Sequence, residues 1–430
     1  MSVGRALGSA ARYAEVLPRP EAPPPVAVVP GVYSARPEVA PTHVPATHAI
    51  AVRALVASPT WAAANAAERR ALLGLLDRLD AAPLDAGPSA GHTAGHNGYD
   101  AFIALCRRQR DDRPLLLART DGGATILDML TRFTVDPSLV RRVEPLTAAA
   151  IFSTLVLEVA DPDRIEQAEA GTCAVTSLQH HLAEHDPAEY VRVMTDLMSA
   201  GARVTLRGGD VVRRDDNAIV STGRTTRSAS ERVFQSAMMQ AELPKRDYAT
   251  DGAREGVVEE HSSLYDSLHP FWKILAALTI IFAIIFALIP RRRLREPGLD
   301  DAGVTHAASQ LFGRRYDTAI LDGETDRLAW LRARVPDGDF RGRGWFVGLI
   351  PFGNGGGHEM MIERIDYAGR PPVLICRNPW GSSPLSVRGQ PIGAPAPGDV
   401  VVEDPARGTV RIPLTDANLR MFHAVHFPVA

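Results

Sequence analysis

The chain has 430 residues, with 47 Lys or Arg against 50 Asp or Glu, a formal net charge of −3. So even a balance gives no reason to expect a nucleic acid or another polyanion as partner. Apolar residues at 45% and charged residues at 23% are the proportions of a globular protein, and the length allows two or three domains or one large core with appendages.

The first twenty residues lack a continuous apolar run, so a secretory signal peptide is not expected, and the location read from the chain is cytoplasmic or membrane-associated. Residues 1–48 read as a flexible arm, rich in Pro from position 17 and carrying Pro23-Pro24-Pro25. Residues 49–160 read as a helical N-terminal region. The spacing of Ala, Leu and Arg predicts helix over 50–85, and further helices over about 99–110, 124–133 and 146–159.

Residues 161–430 read as a domain of α+β class. An Ala/Leu-rich amphipathic stretch runs from Ala174 to Glu184 and breaks at Asp186-Pro187, where a second helix starts; another covers Ser228 to Glu242. Strands are expected over 343–352, 360–367, 372–377, 398–403 and 409–412. Between these blocks the run from Phe271 to Ile289 is apolar apart from Lys273, with Trp272 at one end and Arg291-Arg292-Arg293 beyond the other. That pattern is at the short end for a membrane span and has interfacial flanks. It is assigned to an insertion at about 243–300, containing a hydrophobic helix 271–289 that gives a possible membrane association.

Three cysteines, Cys106, Cys173 and Cys376, are too few for a disulfide framework. Cys173 stands out because it opens a helix, where the macrodipole favours the thiolate. Gln167 and Gly171 precede it. Downstream, His358 follows Gly355-Gly356-Gly357 and leads into a strand. Asn378 follows Cys376-Arg377 and is followed by Pro379, Trp380 and Gly381, so the strand should stop at Asn378 and present its amide at the sheet edge.

Gln-x-x-x-Gly-x-Cys, Gly-His before a strand and Asn-x-Trp-Gly, in that order over roughly 160–385, resemble the papain-like cysteine peptidases, and the Gly-His and Asn-Pro-Trp-Gly forms resemble the calpain-type core. The resemblance implies a papain-like fold and a catalytic set in which Cys173 is the nucleophile, His358 the base and Asn378 the residue orienting the base. It also implies an oxyanion hole from the Gln167 amide and the Cys173 backbone N–H, with Trp380 shielding the histidine and Gly171 and Gly357 beside the cleft. The chain departs from the pattern at Ala174, where a Trp is usual, and at Glu359, where a small residue is usual; on a strand Glu359 would point away from His358. The implied reaction is peptide-bond hydrolysis on a protein or peptide substrate. Deamidation or acyl transfer, as in an effector toxin, uses the same set, and a membrane-associated scaffold with a papain-like shell needs none of it. A peptidoglycan amidase would not need Gln167 or Asn-x-Trp-Gly.

No metal and no other cofactor is expected. His181 and His185 form the only i, i+4 histidine pair on the post-cysteine helix and lack the Glu of a zinc helix, so His180, His181 and His185 read as a solvated face. Asp161-Pro162-Asp163 and Asp215-Asp216-Asn217 read as turns. Asp366, the candidate for a Cys-His-Asp set, lies eight residues after His358 on the same expected strand. A single membrane crossing at 271–289 would put Cys173 and His358 on opposite sides, so the crossing and the catalytic set exclude each other in one conformation.

Overall fold

The three-dimensional structure, a computed structural model, describes residues 47–79, 97–143, 146–167, 171–216, 218–219, 227–243, 247–251, 254–260, 292–295, 298–321, 324, 326–352, 356–380, 386–387, 390–391, 401–404 and 407–429. These residues belong to one unit, 45–430. Residues 1–46 of the expected arm and the apolar helix 271–289 lie outside the described residues. No helix among the described residues is long and apolar enough to cross a membrane.

Local capping decides where the first helices break. The stretch expected as one helix over 50–85 is three: His48–Val56, Pro59–Ala63 and Ala66–Leu76. Ser58 caps the second, with Pro59 at its first position, and Asn65 and Glu68 form a reciprocal capping box at the start of the third. Each of these side chains satisfies backbone N–H groups that a continuous helix would bond internally. Helices Gly98–Arg107, Ile126–Arg132, Pro137–Arg142 and Ala148–Ala160 follow, then Cys173–His185, Pro187–Met198 and Ala229–Glu242.

The second half is built on one antiparallel sheet. Its strands are β1 Tyr316–Ile320, β2 Gly338–Asp339, β3 Phe346–Phe352, β4 Gly356–Asp366, β5 Val373–Arg377, β6 Val401–Asp404, β7 Thr409–Pro413 and β8 Phe422–Pro428. They lie in the order β6-β7-β5-β4-β3-β8-β1, with β2 paired to β4. The fold is therefore mixed α+β around a single large sheet. β1 and β8 were not expected from the sequence, nor were the helices Asp301–Phe312 and Arg327–Arg334 that pack beside the strands. β8 is the last strand in the chain yet sits between β3 and β1. Within the expected insertion, Asp247–Asp251, Arg254–Glu260 and Arg292–Arg295 form a separate three-stranded antiparallel sheet.

Two hydrophobic clusters flank the sheet. One unites the N-terminal helices with the Cys173 helix and reaches the sheet through Phe346 and Met361. The other holds Val347, Leu349, Met360, Ile362 and Leu374 against Trp330, Leu331 and Phe340. Side chains of a strand alternate between faces, so Met361 and Met360 mark opposite sides of β4. The helical region 49–160 thus shares one core with the Cys173 helix.

The burial of that helix corrects one expectation. His180 and His181 are buried, not solvated. The His181 ring meets Phe312 and Phe346 edge-on at 5.1 and 5.9 Å, and His185 sits beside it at 4.7 Å. The helix packs against β4 and against the helices Pro187–Met198, Ala229–Glu242 and Asp301–Phe312, which leaves it no broad face for water.

Candidate active site

The site forms where the start of the Cys173 helix meets β4 and the end of β5. Thr172 is the N-cap residue, but its hydroxyl donates to Gln235 Oε1 at 2.9 Å instead of accepting a helix amide. Among the described α-helices this is the only one whose N-cap side chain takes no backbone N–H. Cys173 is buried at this helix start, and Ser177, one turn on, donates its hydroxyl to the Glu359 carbonyl of β4 at 3.2 Å, so the helix meets the residue that follows His358.

His358 lies within β4, which starts at Gly356 and not at the expected 360, and is buried. Its Nε2 is 2.9 Å from Asn378 Oδ1. The Trp380 N–H donates to the same oxygen at 3.1 Å, which fixes that atom as the acceptor. Nε2 therefore carries the hydrogen, and Nδ1 has the lone pair a base needs. The Trp380 ring stacks on the imidazole, centroids 4.0 Å apart and planes 23° off parallel. Asn378 is fully buried just past the end of β5, where its N–H bonds Gly408 O at 3.0 Å. Gln167 is buried too, and its N–H bonds Pro379 O at 2.8 Å, which ties the Gln167 segment to the Asn378 turn.

His358, Asn378 and Trp380 thus meet in one place with the Gln167 backbone, and the Cys173 helix meets the same strand at Glu359. Gly171 directly precedes the N-cap Thr172, and Gly357 is exposed beside His358. Asp366 is at the far end of β4, where it accepts the Ala368 N–H at 2.9 Å and shapes a turn. Cys106 and Cys376 are buried thiols. Among the described residues no group of three or more His, Cys, Asp or Glu is arranged to hold a metal ion.

Electrostatically, burial works against either charge alone. It pushes the Cys173 thiol up to about 11, partly offset by the Glu359, Ala174 and Cys173 N–H groups and reinforced by the Glu359 carboxyl. It pushes His358 down to about 4, against the hydrogen bond to Asn378.

Two polar networks hold these parts in place, and the sequence reading found neither. In the first, Glu231 Oε1 accepts the Glu166 N–H at 2.8 Å, while Gln235 Nε2 donates to Glu166 O at 2.9 Å and to Gln179 Oε1 at 3.1 Å. The residue before Gln167 is thus gripped at both backbone groups from the helix Ala229–Glu242. Gln179 Nε2 donates to Tyr190 Oη at 3.0 Å, and Tyr190 donates to Glu158 Oε2 at 2.6 Å. Gln235→Leu is expected to destabilise the protein by on the order of 2–3 kcal/mol in urea unfolding, since it strands the Glu166 carbonyl and the Gln179 amide oxygen in the interior. A change below about 0.5 kcal/mol would mean that this network does not hold the segment.

The second network centres on Arg377, which is buried. Its guanidinium donates to Asn378 O at 2.5 Å and Asp163 O at 2.8 Å, and Nε lies 3.3 Å from His180 Nε2. Asp163 also meets His180 at 3.1 Å and Arg407 at 3.1 Å. The turn expected at 161–163 is a 3-10 turn, Pro162–Arg164, that carries this ion pair. Only the Arg-Asn sequence at 377–378 was a local signal for the second network. For the first, nothing nearby in sequence pointed from Glu231 to Glu166.

Comparison with protein-family models, with curated proteins and with solved structures finds no match in any of the three.

Proposed function

We propose that the chain is a papain-like cysteine peptidase that hydrolyses peptide bonds through Cys173, His358 and Asn378. The observation that carries this reading is the orientation of His358. Nε2 is bonded to Asn378 under the Trp380 ring, which leaves Nδ1 as the basic ring nitrogen, and the residue after His358 meets the Cys173 helix. The thiol proton passes to Nδ1, and the thiolate attacks the substrate carbonyl carbon. The oxyanion that forms is received by the Cys173 N–H and the Gln167 side-chain amide. Collapse of this intermediate breaks the C–N bond as the imidazolium protonates the departing amine. Water, deprotonated by His358, then cleaves the thioester and releases the acid. No metal or organic cofactor enters these steps.

The Ala229–Glu242 helix supports this role indirectly, because it fixes Glu166 and so the approach of Gln167 to the thiol. Treatment of the intact chain with a peptidyl epoxide, followed by peptide mapping, is expected to give one adduct, at Cys173, and none after His358→Ala. Equal labelling of Cys106 and Cys376, or labelling indifferent to His358, would remove the peptidase reading.

A further inference from the structure

Glu359, the carboxylate directly after the proposed base, is left without a part in that mechanism. Its backbone already belongs to the site, because its carbonyl accepts the Ser177 hydroxyl at 3.2 Å. The sheet and the Cys173 helix meet here as well as at Phe346 and Met361. The side chain lies on the helical side of β4, with Met361, while His358 shares the parity of Met360 and Ile362. Space for it comes from Gly348 on β3, where a Cβ would stand 3.0 Å from Glu359 Oε2.

Inside the protein, Glu359 Oε1 is 3.6 Å from Nε2 of His426 on β8. The same nitrogen is 3.6 Å from Asp301 Oδ1, and Asp301 Oδ2 is 3.0 Å from His423 Nε2. His426 Nδ1 is tied to Thr318 Oγ1 at 2.9 Å, which fixes the ring. Among the described residues neither Glu359 Oε1 nor His426 Nε2 makes a hydrogen bond; they face each other. A file of titratable groups therefore runs from the thiol through Glu359 and His426 to the partly exposed Asp301 and His423.

We propose that Glu359, paired with His426, is a positioning residue that couples the ionisation of Cys173 to a second buried proton. The coupling rests on the reading of Cys173 as nucleophile. Glu359 faces His426 from β8 and feels the charges of Asp301, from the helix Asp301–Phe312, and of Cys173, from its own helix; Cys376 on β5 pairs with Ile362 on the other face of the sheet. Burial, and then the Asp301 charge, favour the protonated form of Glu359. Burial also keeps His426 neutral, down to about 4, with Asp301 acting against this and His423 with it. An anionic Glu359 opposes the thiolate. The thiolate forms more readily while Glu359 keeps its proton than after it leaves, and the thiol titration spreads into two macroscopic steps once that proton can leave. His426 sets the second step, because its imidazolium would offset the Glu359 charge.

The rate of Cys173 alkylation by iodoacetamide, followed from about pH 5 to about pH 10, reads the thiolate directly. The wild-type profile is expected to be drawn out over two steps. Glu359→Gln should give one step, displaced by about one unit to lower pH. His426→Gln removes the imidazole that could take up a proton and offset an anionic Glu359, so Glu359 stays protonated further up the scale; its profile moves in the same direction. The double variant should add nothing beyond the larger single effect. If Glu359→Gln does not fold, His426→Gln carries the test. Profiles of the folded variants that superpose on wild type, or move to higher pH, overturn the coupling. Alkylation in His358→Ala separates the two ideas: no dependence on His358 removes the peptidase reading itself, whereas His358 dependence with unmoved variant profiles removes only the coupling.

Discussion

His358→Ala is expected to lower kcat/KM on a peptide amide by about 10³-fold or more, and Asn378→Ala by about 10- to 100-fold. The order follows from what each group does. Without His358 nothing at the site takes the thiol proton, and burial leaves Cys173 protonated at neutral pH. Without Asn378 the imidazole remains, still covered by Trp380 at 4.0 Å, but loses the acceptor that fixes its tautomer. Steady-state hydrolysis of a mixed fluorogenic peptide library by the intact chain checks both. His358→Ala retaining activity within about tenfold of wild type would remove it as the base, and an Asn378→Ala loss exceeding that of His358→Ala would mean that Asn378 does more than orient the ring.

The largest effect on stability is expected at Arg377. Its guanidinium is buried and serves the carbonyls of Asn378 and Asp163 together, with the Asp163 carboxylate close by. Arg377→Ala leaves that carboxylate and both carbonyls with a donor missing, which costs about 3–5 kcal/mol for a buried ion-pair network broken on one side. Arg377→Lys should recover little, since an ammonium cannot span the fork of acceptors. Denaturant unfolding monitored by tryptophan fluorescence measures both. A loss under about 1 kcal/mol for Arg377→Ala would mean that the network contributes little to stability. Because Arg377 also fixes the Asn378 carbonyl, folded Arg377→Lys should show reduced turnover at unchanged thiol content.

Much of the helical and strand content was legible locally. The break at Asp186-Pro187, the capping box at Ser228 and Glu231, and the stop after Arg377 are each decided by a few neighbouring residues, and the structure has helix ends and a strand end there. The split of 50–85 into three helices was also written locally, in Ser58-Pro59 and Asn65-x-x-Glu68, but was outweighed by the continuous Ala/Leu spacing. β8 was less visible. Its histidines and Ala424 blur the alternation, and with neighbours on both edges and mostly buried side chains it lacks the polar face that marks a surface strand.

By itself the sequence determined the residues of the candidate site: a thiol opening a helix, a histidine leading a strand, an asparagine before a proline that ends one. Those are short-range facts, set by backbone geometry within a turn or two. The tertiary structure alone decided which side chains surround them. Glu359 meets His426 and His426 meets Asp301, Glu166 meets Glu231 and Gln235, and Arg377 meets Asp163, across separations that no periodicity encodes. It also decided that His180 and His181 are interior, because burial depends on what packs over a helix face and not on the residues that form it.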